Sequence, residues 1–251
     1  MKVIDYIEKL RASKDKEILG LAGKLYDRLS AFDLDIAGSV NPKNKLEALM
    51  EAQSLIQNNM KLLMKNGTMA SNEARKFRGS FLEEYALNLL KFLVWHDLGY
   101  EYLVLTLDVE APLWKGFVWE NQKPKSESVY WKPDVAVGRY FKDKECTVLN
   151  DIKREVIEEK KSIGFFVPIV VISCKSRVSL SEFFDDRGRF EVLRQTFPST
   201  LVLELANERK MAKSHFEADA WAANTYFLEE GQDSVDRFVQ HVREHIVKYM
   251  N

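Results

Sequence analysis

Cysteine is scarce in this sequence, and the two that occur do not have the spacing of a metal site. Cys146 and Cys174 stand in apolar, strand-like surroundings, without the CxxC or Cys/His pattern that builds a zinc site. A chain of 251 residues can bury an adequate core without a disulfide or a structural metal. We therefore expect a protein of the reducing cytoplasm.

Long hydrophobic runs and an excess of one charge are absent too. The longest apolar run, residues 165–172, contains Pro168 and is far shorter than the roughly 20 residues that span a bilayer. The N-terminal segment carries charges where an export signal would need apolar residues. With 37 Lys and Arg against 38 Asp and Glu, the net charge is -1, so any nucleic-acid surface must be local. We expect no contact with membranes.

The spacing of apolar residues divides the chain near residues 66–74. Up to about residue 65 they recur three and four apart, which predicts helices, and we assign residues 1–68 to a helical accessory subdomain for recognition or dimerisation. Residues 69–251 are assigned to an α/β core in which helices flank a mixed sheet. Its predicted helices are 73–96, 179–197 and 234–249, and its predicted strands are 100–109, 129–137, 169–174, 201–205 and 224–228. We expect a loop-rich connection between the first two strands and a solvated inserted helix at 151–161.

Two short segments place polar residues in strand-like surroundings. Asp134 follows Pro133, which cannot donate to a sheet ladder, so Asp134 is expected near one end of the sheet. Lys175 ends a very apolar run, and Ser173 shares its face of the strand while Cys174 points the other way. Each residue alone is most simply a turn or a solvated strand end. If the two strands pair, however, an acid and a lysine meet.

An acid beside a lysine at a sheet end suits metal-dependent hydrolysis of phosphodiesters. Asp134 would hold Mg²⁺ through hard oxygen ligands, and the backbone carbonyl of Cys174 would add another ligand. Lys175 would orient or help to deprotonate the attacking water. The sequence has no P-loop, GxGxxG or GxSxG pattern, which removes the common NTPase, dinucleotide-binding and hydrolase interpretations.

These segments resemble the motif of the PD-(D/E)xK nuclease superfamily, and within it the type II restriction endonucleases, over about residues 73–205. The family has an acid where this chain has Ser173, and Ser-Cys-Lys looks like the variant in restriction enzymes that cut CCGG-containing sites. The resemblance implies a restriction-endonuclease-like core and Mg²⁺-dependent cleavage of double-stranded DNA at a short sequence. The alternatives are a repair or junction nuclease of the same fold, and an inactive nuclease-fold module that binds DNA or protein.

In that variant the following helix supplies the missing acid. Four acids of this chain lie on the predicted helix: Glu182, Asp185, Asp186 and Glu191. Glu182 is expected to be the third-position partner of the Ser179 cap, and Asp185 and Asp186 suit the helix dipole in its first turns. Glu191 has no such local role, so we favour it as a metal ligand.

Glu83 is a further candidate, on the first core helix. Helical spacing puts Glu83 on an inward face one turn from Gly79, while Glu84 falls on a polar stripe that we expect to face water. An inward glutamate opposite a glycine resembles the helix glutamate that helps to place metal or water in this superfamily. A simpler interpretation is a rim glutamate paired with Arg75 or Lys76.

The remaining expectations concern the DNA and one further motif. We expect phosphate contacts from Arg75, Lys76, Arg78, Lys115, Lys123 and Lys125. A palindromic site would call for a homodimer, because protein symmetry mirrors site symmetry. The motif between His241 and His245 matches an inverted zinc-peptidase pattern, but too few residues follow it, and we expect a solvated helix face.

Overall fold

The computed structural model describes most of the chain. The described residues are 2–38, 40–65, 68–107, 111–120, 123–131, 133–141, 153–157, 165–179, 181, 187–188, 190–191, 193–195, 197–212, 216 and 220–251. For 111–120, 123–131, 141, 165 and 220–221 only the backbone is described. Glu182, Asp185 and Asp186, which the sequence analysis names as candidate acids, lie outside the described residues.

The N-terminal part is helical, as its periodicity predicts. Its helices are α1 (Val3–Arg11), α2 (Lys16–Ser30), α3 (Leu34–Ala37), a 3₁₀ turn (Pro42–Lys45), α4 (Leu46–Asn58) and α5 (Met60–Met64). Asp15 and Asp33 cap α2 and α3 by accepting backbone N–H groups of the first turn. The apolar faces of these helices pack onto the next helix, α6 (Ser71–Lys91), so that one continuous apolar cluster joins them to the sheet.

Helix α6 is buried on both sides. It contacts α1, α4 and α5 on one side and the central sheet on the other, and it runs into a π-helical turn at Phe92–Asp97. Asn88 is fully buried, accepts the Leu34 N–H at 3.0 Å through Oδ1 and donates to the Glu84 carbonyl at 2.8 Å. Beyond the exposed first turns of α6, its polar stripe therefore faces the N-terminal helices and not water, because the helix lies between two layers there.

A mixed sheet forms the centre of the core, and helices flank it. Its strands are β1 (Val104–Leu107), β4 (Val135–Phe141), β5 (Val156–Ile157), β6 (Phe165–Val178), β7 (Leu201–Arg209) and β8 (Thr225–Phe227), and a separate hairpin is formed by β2 (Ala111–Glu120) and β3 (Lys123–Trp131). The sheet order is β5-β1-β4-β6-β7-β8, in which β4 is antiparallel to both neighbours and β6, β7 and β8 are parallel. The predicted α/β class and mixed sheet are thus confirmed.

Each face of the sheet has its own apolar cluster. The larger cluster lies under α6 and the last helix, α7 (Gln232–Met250), which contributes Val235, Phe238, Val242 and Ile246. The smaller cluster lies on the other face, where Phe190 and Leu193 of the helical residues between 187 and 195 pack against β6 and β7. Successive residues of β6 and β7 pack alternately into the two clusters, because successive side chains of a strand point to opposite faces of the sheet.

The structure corrects three local predictions. The expected loop between the first two strands contains the β2–β3 hairpin, and the predicted strand 129–137 is divided between β3 and β4. Within the predicted helix 151–161, residues 156–157 form β5, which pairs with β1 and so gains ladder hydrogen bonds that a solvated helix would not have. Gly138 stands at a bulge where a Cβ would collide with the Val167 carbonyl oxygen, so the approach of β4 to β6 requires a glycine.

Candidate active site at the end of the sheet

Asp134 lies where β4 begins, next to the part of β6 that carries the polar residues. Val135 pairs with Ile172 in the antiparallel register, which places Asp134 beside Ser173. The Asp134 Oδ2 atom accepts the backbone N–H of Cys174 at 2.6 Å and lies 3.4 Å from the Ser173 hydroxyl, although 40 residues separate Asp134 from Cys174. Two distant segments therefore form one constellation.

Lys175 is the next residue of β6 on the face of Ser173. It is half-buried, and the strand continues into Ser176 and Arg177, which are exposed. This end of β6 is therefore open to solvent, so a polymer could approach it. Lys175 is therefore half-buried near Asp134, which precedes the neighbouring strand β4. Its ammonium can interact there with a negatively charged group of a ligand.

The thiol of Cys174 points to the face covered by α6. Burial raises the pKa of this thiol well above its usual range, the charges of Asp134 and Glu83 raise it further, and Lys175 opposes them. The side chain therefore stays a neutral thiol and is a poor ligand for a metal, which binds thiolate. Only the backbone carbonyl of Cys174 suits the ligand role that the sequence analysis gives this residue, and its N–H is already bonded to Asp134.

Helix α6 carries Glu83 toward the same end of the sheet. Glu83 is half-buried, and its charge acts on the Cys174 thiol, as does that of Asp134. The neighbouring Glu84, which we expected in water, is only 7% exposed. The glycine argument for Glu83 also fails, because a Cβ on Gly79 would meet no atom within 4 Å.

Glu191 lies on the helical residues that follow β6. It is exposed, and its carboxylate pairs with Arg187 at 3.3 Å, one helical turn away. It lines a surface depression with Arg194, Gln195 and Pro198, just before β7 begins. The same segment meets the first half of β6, where the Thr200 hydroxyl donates to the Pro168 carbonyl at 2.7 Å.

The favoured role of Glu191 as a metal ligand stays a prediction. Its carboxylate is exposed and paired with Arg187, so it would have to leave that partner to bind a cation beside Asp134.

Glu204 is an acid that sequence reasoning overlooked. It lies in the middle of β7, directly in register with Ser173, and it is fully buried. Its Oε2 atom lies 3.4 Å from the hydroxyl of Thr225 on β8. The signal in the sequence is a single acid inside the apolar segment 201–205, which the sequence analysis assigns only as a strand.

The candidate phosphate-binding residues differ in their surroundings. Arg75 and Lys76 are exposed on the first turns of α6. Arg78 is engaged within the protein: its guanidinium bonds Gln57 at 3.0 Å and lies 3.8 Å from the Glu208 carboxylate. The backbones of Lys115, Lys123 and Lys125 lie on the β2–β3 hairpin, and β2 runs beside β6.

The donor set at this end of the sheet fits Mg²⁺ better than a soft metal. Among the residues that the structure describes, no three His, Cys, Asp or Glu side chains are grouped so as to hold a metal ion. Mg²⁺ is commonly bound by one or two carboxylates together with water and substrate phosphate, so a smaller donor set suffices. The candidate ligands are carboxylate and carbonyl oxygens, and the protonated Cys174 thiol does not compete with them.

Two histidines of α7 are less exposed than the sequence suggested. His241 and His245 are both half-buried, and the Nδ1 atom of His241 is hydrogen-bonded to the Tyr226 hydroxyl at 2.8 Å. Burial lowers the pKa of each histidine. The predicted solvated face is thus a packed one, because α7 lies against β6 and β8.

Comparison with known proteins adds little to this geometry. No family model matches the sequence, and no curated protein is similar to it. A chain from a solved structure described as "native BbvCI A2B2 tetramer at low resolution" is similar over 84% of this chain and 76% of that chain, with 10% identity and a TM-score of 0.42. A likeness this weak carries no argument, so the function must be argued from the site. No helix among the described residues is long and apolar enough to cross a bilayer.

Proposed function

We propose that this protein is a Mg²⁺-dependent type II restriction endonuclease that hydrolyses double-stranded DNA at a short specific sequence. One observation carries the proposal: the Asp134 carboxylate is bonded to the backbone of Cys174, next to Lys175, at the open end of a mixed sheet. An acid and a lysine brought together from separate strands are the groups that phosphodiester hydrolysis needs.

The residues of the chain take distinct roles in this reaction. Asp134 would hold the cation, and its bond to the Cys174 N–H fixes the carboxylate in one orientation. Bound Mg²⁺ supplies Lewis-acid stabilisation of the phosphate and a water of lowered pKa. The Lys175 ammonium stabilises negative charge on the scissile phosphate and orients the water for attack. Glu83 would help to place the water or the cation from the α6 side.

The DNA would lie across the open end of β6. Arg75 and Lys76 are exposed on α6 and would contact phosphates, while Lys115, Lys123 and Lys125 of the hairpin would contact them from the other side. Arg78 would first have to leave Glu208. A near-neutral chain suits a specific enzyme, since low nonspecific affinity reduces trapping on bulk DNA.

The assembly and location follow from the same proposal. A palindromic target would be cut by a homodimer, with residues 1–68 contributing to recognition or to the dimer. Cys174 is a free thiol, in keeping with a reducing cytoplasm.

The decisive experiment is digestion of plasmid DNA by the purified full-length chain with Mg²⁺ and, separately, with EDTA. Discrete bands that require Mg²⁺ are the expected result. Nicking confined to branched or damaged DNA would instead indicate a repair or junction nuclease of the same fold. Intact plasmid that is still bound in a gel-shift assay would contradict an enzyme and indicate a binding module.

A further inference from the structure

A row of polar residues crosses four strands of the sheet at one level. Asp134 precedes β4 and lies 3.4 Å from the hydroxyl of Ser173 on β6. Ser173 is in register with Glu204 on β7, and Glu204 is in register with Thr225 on β8. Two carboxylates thus flank one serine, each one strand away from it.

Glu204 shares a face of the sheet with Ser173 and Lys175. Its neighbours two residues away on β7, Val202 and Ala206, belong to the apolar cluster opposite α6. Because parallel strands in register present the same face, Ser173 and Glu204 point to the same side. Lys175 is in register with Ala206, one step further along that face.

A fully buried carboxylate in a strand is normally held by polar partners or by a metal ion. Thr225 contributes a hydroxyl at 3.4 Å from Oε2. Lys175 lies diagonally across the face, at about 8 Å between backbones, which a lysine and a glutamate side chain can bridge. The charge of Glu204 also raises the pKa of the Cys174 thiol, as the charges of Asp134 and Glu83 do. The three carboxylates therefore all lie close enough to this thiol to interact with it electrostatically.

We propose that Glu204 is the second carboxylate of the site and binds the divalent cation together with Asp134, in place of an acid at Ser173. This inference rests on the function proposed above. The two backbones are two strand spacings apart, about 10 Å, and the serine between them has a small side chain. Glu204 is in register with Ser173 itself, whereas Glu191 is exposed and paired with Arg187.

The test measures cation binding without DNA or turnover. Calorimetric titration of the full-length protein with Mn²⁺ compares the wild type with Glu204→Gln, Asp134→Asn and Glu208→Gln. Glu208 is the matched control, because it lies on the same strand but pairs with Arg78 and Lys210 outside the row. We expect Glu204→Gln and Asp134→Asn each to weaken Mn²⁺ binding at least about tenfold, since even outer partners of metal ligands contribute about 10- to 100-fold. Glu208→Gln should match the wild type.

The outcomes separate this inference from the proposed function. If Asp134→Asn loses Mn²⁺ and Glu204→Gln keeps wild-type affinity, Glu204 is not a ligand while the proposed function stands. If the wild type binds no Mn²⁺, the proposed function fails and Glu204 loses its role with it. An equal loss in Glu208→Gln would also overturn the inference, because the effect would then not belong to the row.

Two further variants guard against a folding artefact. Circular dichroism and thermal unfolding must show that Glu204→Gln is folded; if it is not, Thr225→Val decides, because it keeps the carboxylate and removes the hydroxyl near Oε2. We expect about tenfold weaker Mn²⁺ binding by Thr225→Val, and unchanged binding would overturn the inference. Adding Ser173→Asp to Glu204→Gln should restore part of the affinity, since a carboxylate from either strand can supply oxygen to the same ion.

Discussion

Replacement of Asp134 separates the structural role of this residue from its chemical role. Its Oδ2 atom accepts the Cys174 N–H at 2.6 Å, and a hydrogen bond to a charged group contributes about 1.5–3 kcal/mol. Asp134→Ala removes the acceptor and should lower the free energy of unfolding by about 2–3 kcal/mol. Asp134→Asn keeps a carbonyl acceptor of the same shape and should cost only about 1 kcal/mol, because a neutral hydrogen bond replaces a charged one.

Cleavage should not follow this order of stabilities. Both variants lack the carboxylate that would hold the cation, so both should lose cleavage and divalent-cation binding although Asp134→Asn remains nearly as stable as the wild type. Urea unfolding measures the stabilities, with an unchanged m-value as the check that only stability has changed. Single-turnover cleavage under saturating Mg²⁺ measures the chemistry.

Two results would refute the reasoning about Asp134. If Asp134→Asn cuts within about tenfold of the wild type, which is about 1.4 kcal/mol of barrier, the carboxylate is not part of the reaction. If the alanine and asparagine variants are equally stable, the bond to Cys174 does not contribute as the 2.6 Å distance implies.

The other predictions concern the lysine, the packing of α6 and the pH dependence. Lys175→Ala should abolish cleavage while DNA binding in Ca²⁺, measured by gel shift, stays within about threefold, because the ammonium acts on phosphate and water and not on bases. Asn88→Ala should lower the free energy of unfolding by about 2–3 kcal/mol in urea, because it leaves the buried Leu34 N–H unpaired and removes a second bond. Burial lowers the pKa of His245 in the folded protein, so its contribution to stability is present above about pH 6.5 and is lost as the pH falls below that value toward the lowered pKa. Thermal unfolding between pH 7.5 and 5.5 should therefore show a smaller pH dependence for His245→Asn than for the wild type.

Each of these predictions has a matched control. Lys210→Ala, just after the end of β7, should cut normally, and a Lys175→Ala variant that cuts within about tenfold of the wild type would place the site elsewhere. Asn58→Ala, at the exposed end of α4, should leave stability unchanged. His96 is exposed, so His96→Asn is the control for the pH dependence of thermal unfolding. If His96→Asn reduces that pH dependence as much as His245→Asn does, the burial of His245 is not its cause.

The sequence predicts the fold where a pattern is local. The helices of residues 3–64, α6 and α7 follow from apolar spacing, and β6 and β7 from their apolar composition. The β2–β3 hairpin was missed because its residues are largely polar and aromatic and have little period-two alternation, so only their pairing with each other makes them strands. Similarly, β5 consists of two residues that become a strand through their contact with β1.

The exposure of individual side chains depends on how many layers cover an element. Glu84 and Asn88 are polar residues on one helical stripe, and a single sequence assigns such a stripe to solvent. Helix α6 instead has the N-terminal helices on that side, which bury Glu84 to 7% exposure and use Asn88 to bond Leu34. The same packing implies that removal of residues 1–68 would expose the apolar side of α6, because both parts share one apolar cluster.

The candidate site shows the same division between local pattern and register. Asp134 and Lys175 could be selected from sequence because proline and lysine are out of place in strands, and both signals lie within a few residues. Glu204 could not be placed from its own strand, since its relation to Ser173 is a register between β6 and β7, which are separated in the chain by residues 179–200. A one-residue shift of that register would turn Glu204 to the face of α6 and away from Ser173. The two-carboxylate site therefore depends on the parallel pairing of β6 with β7, and a substitution that slips this register should abolish cation binding even with all the proposed ligands present.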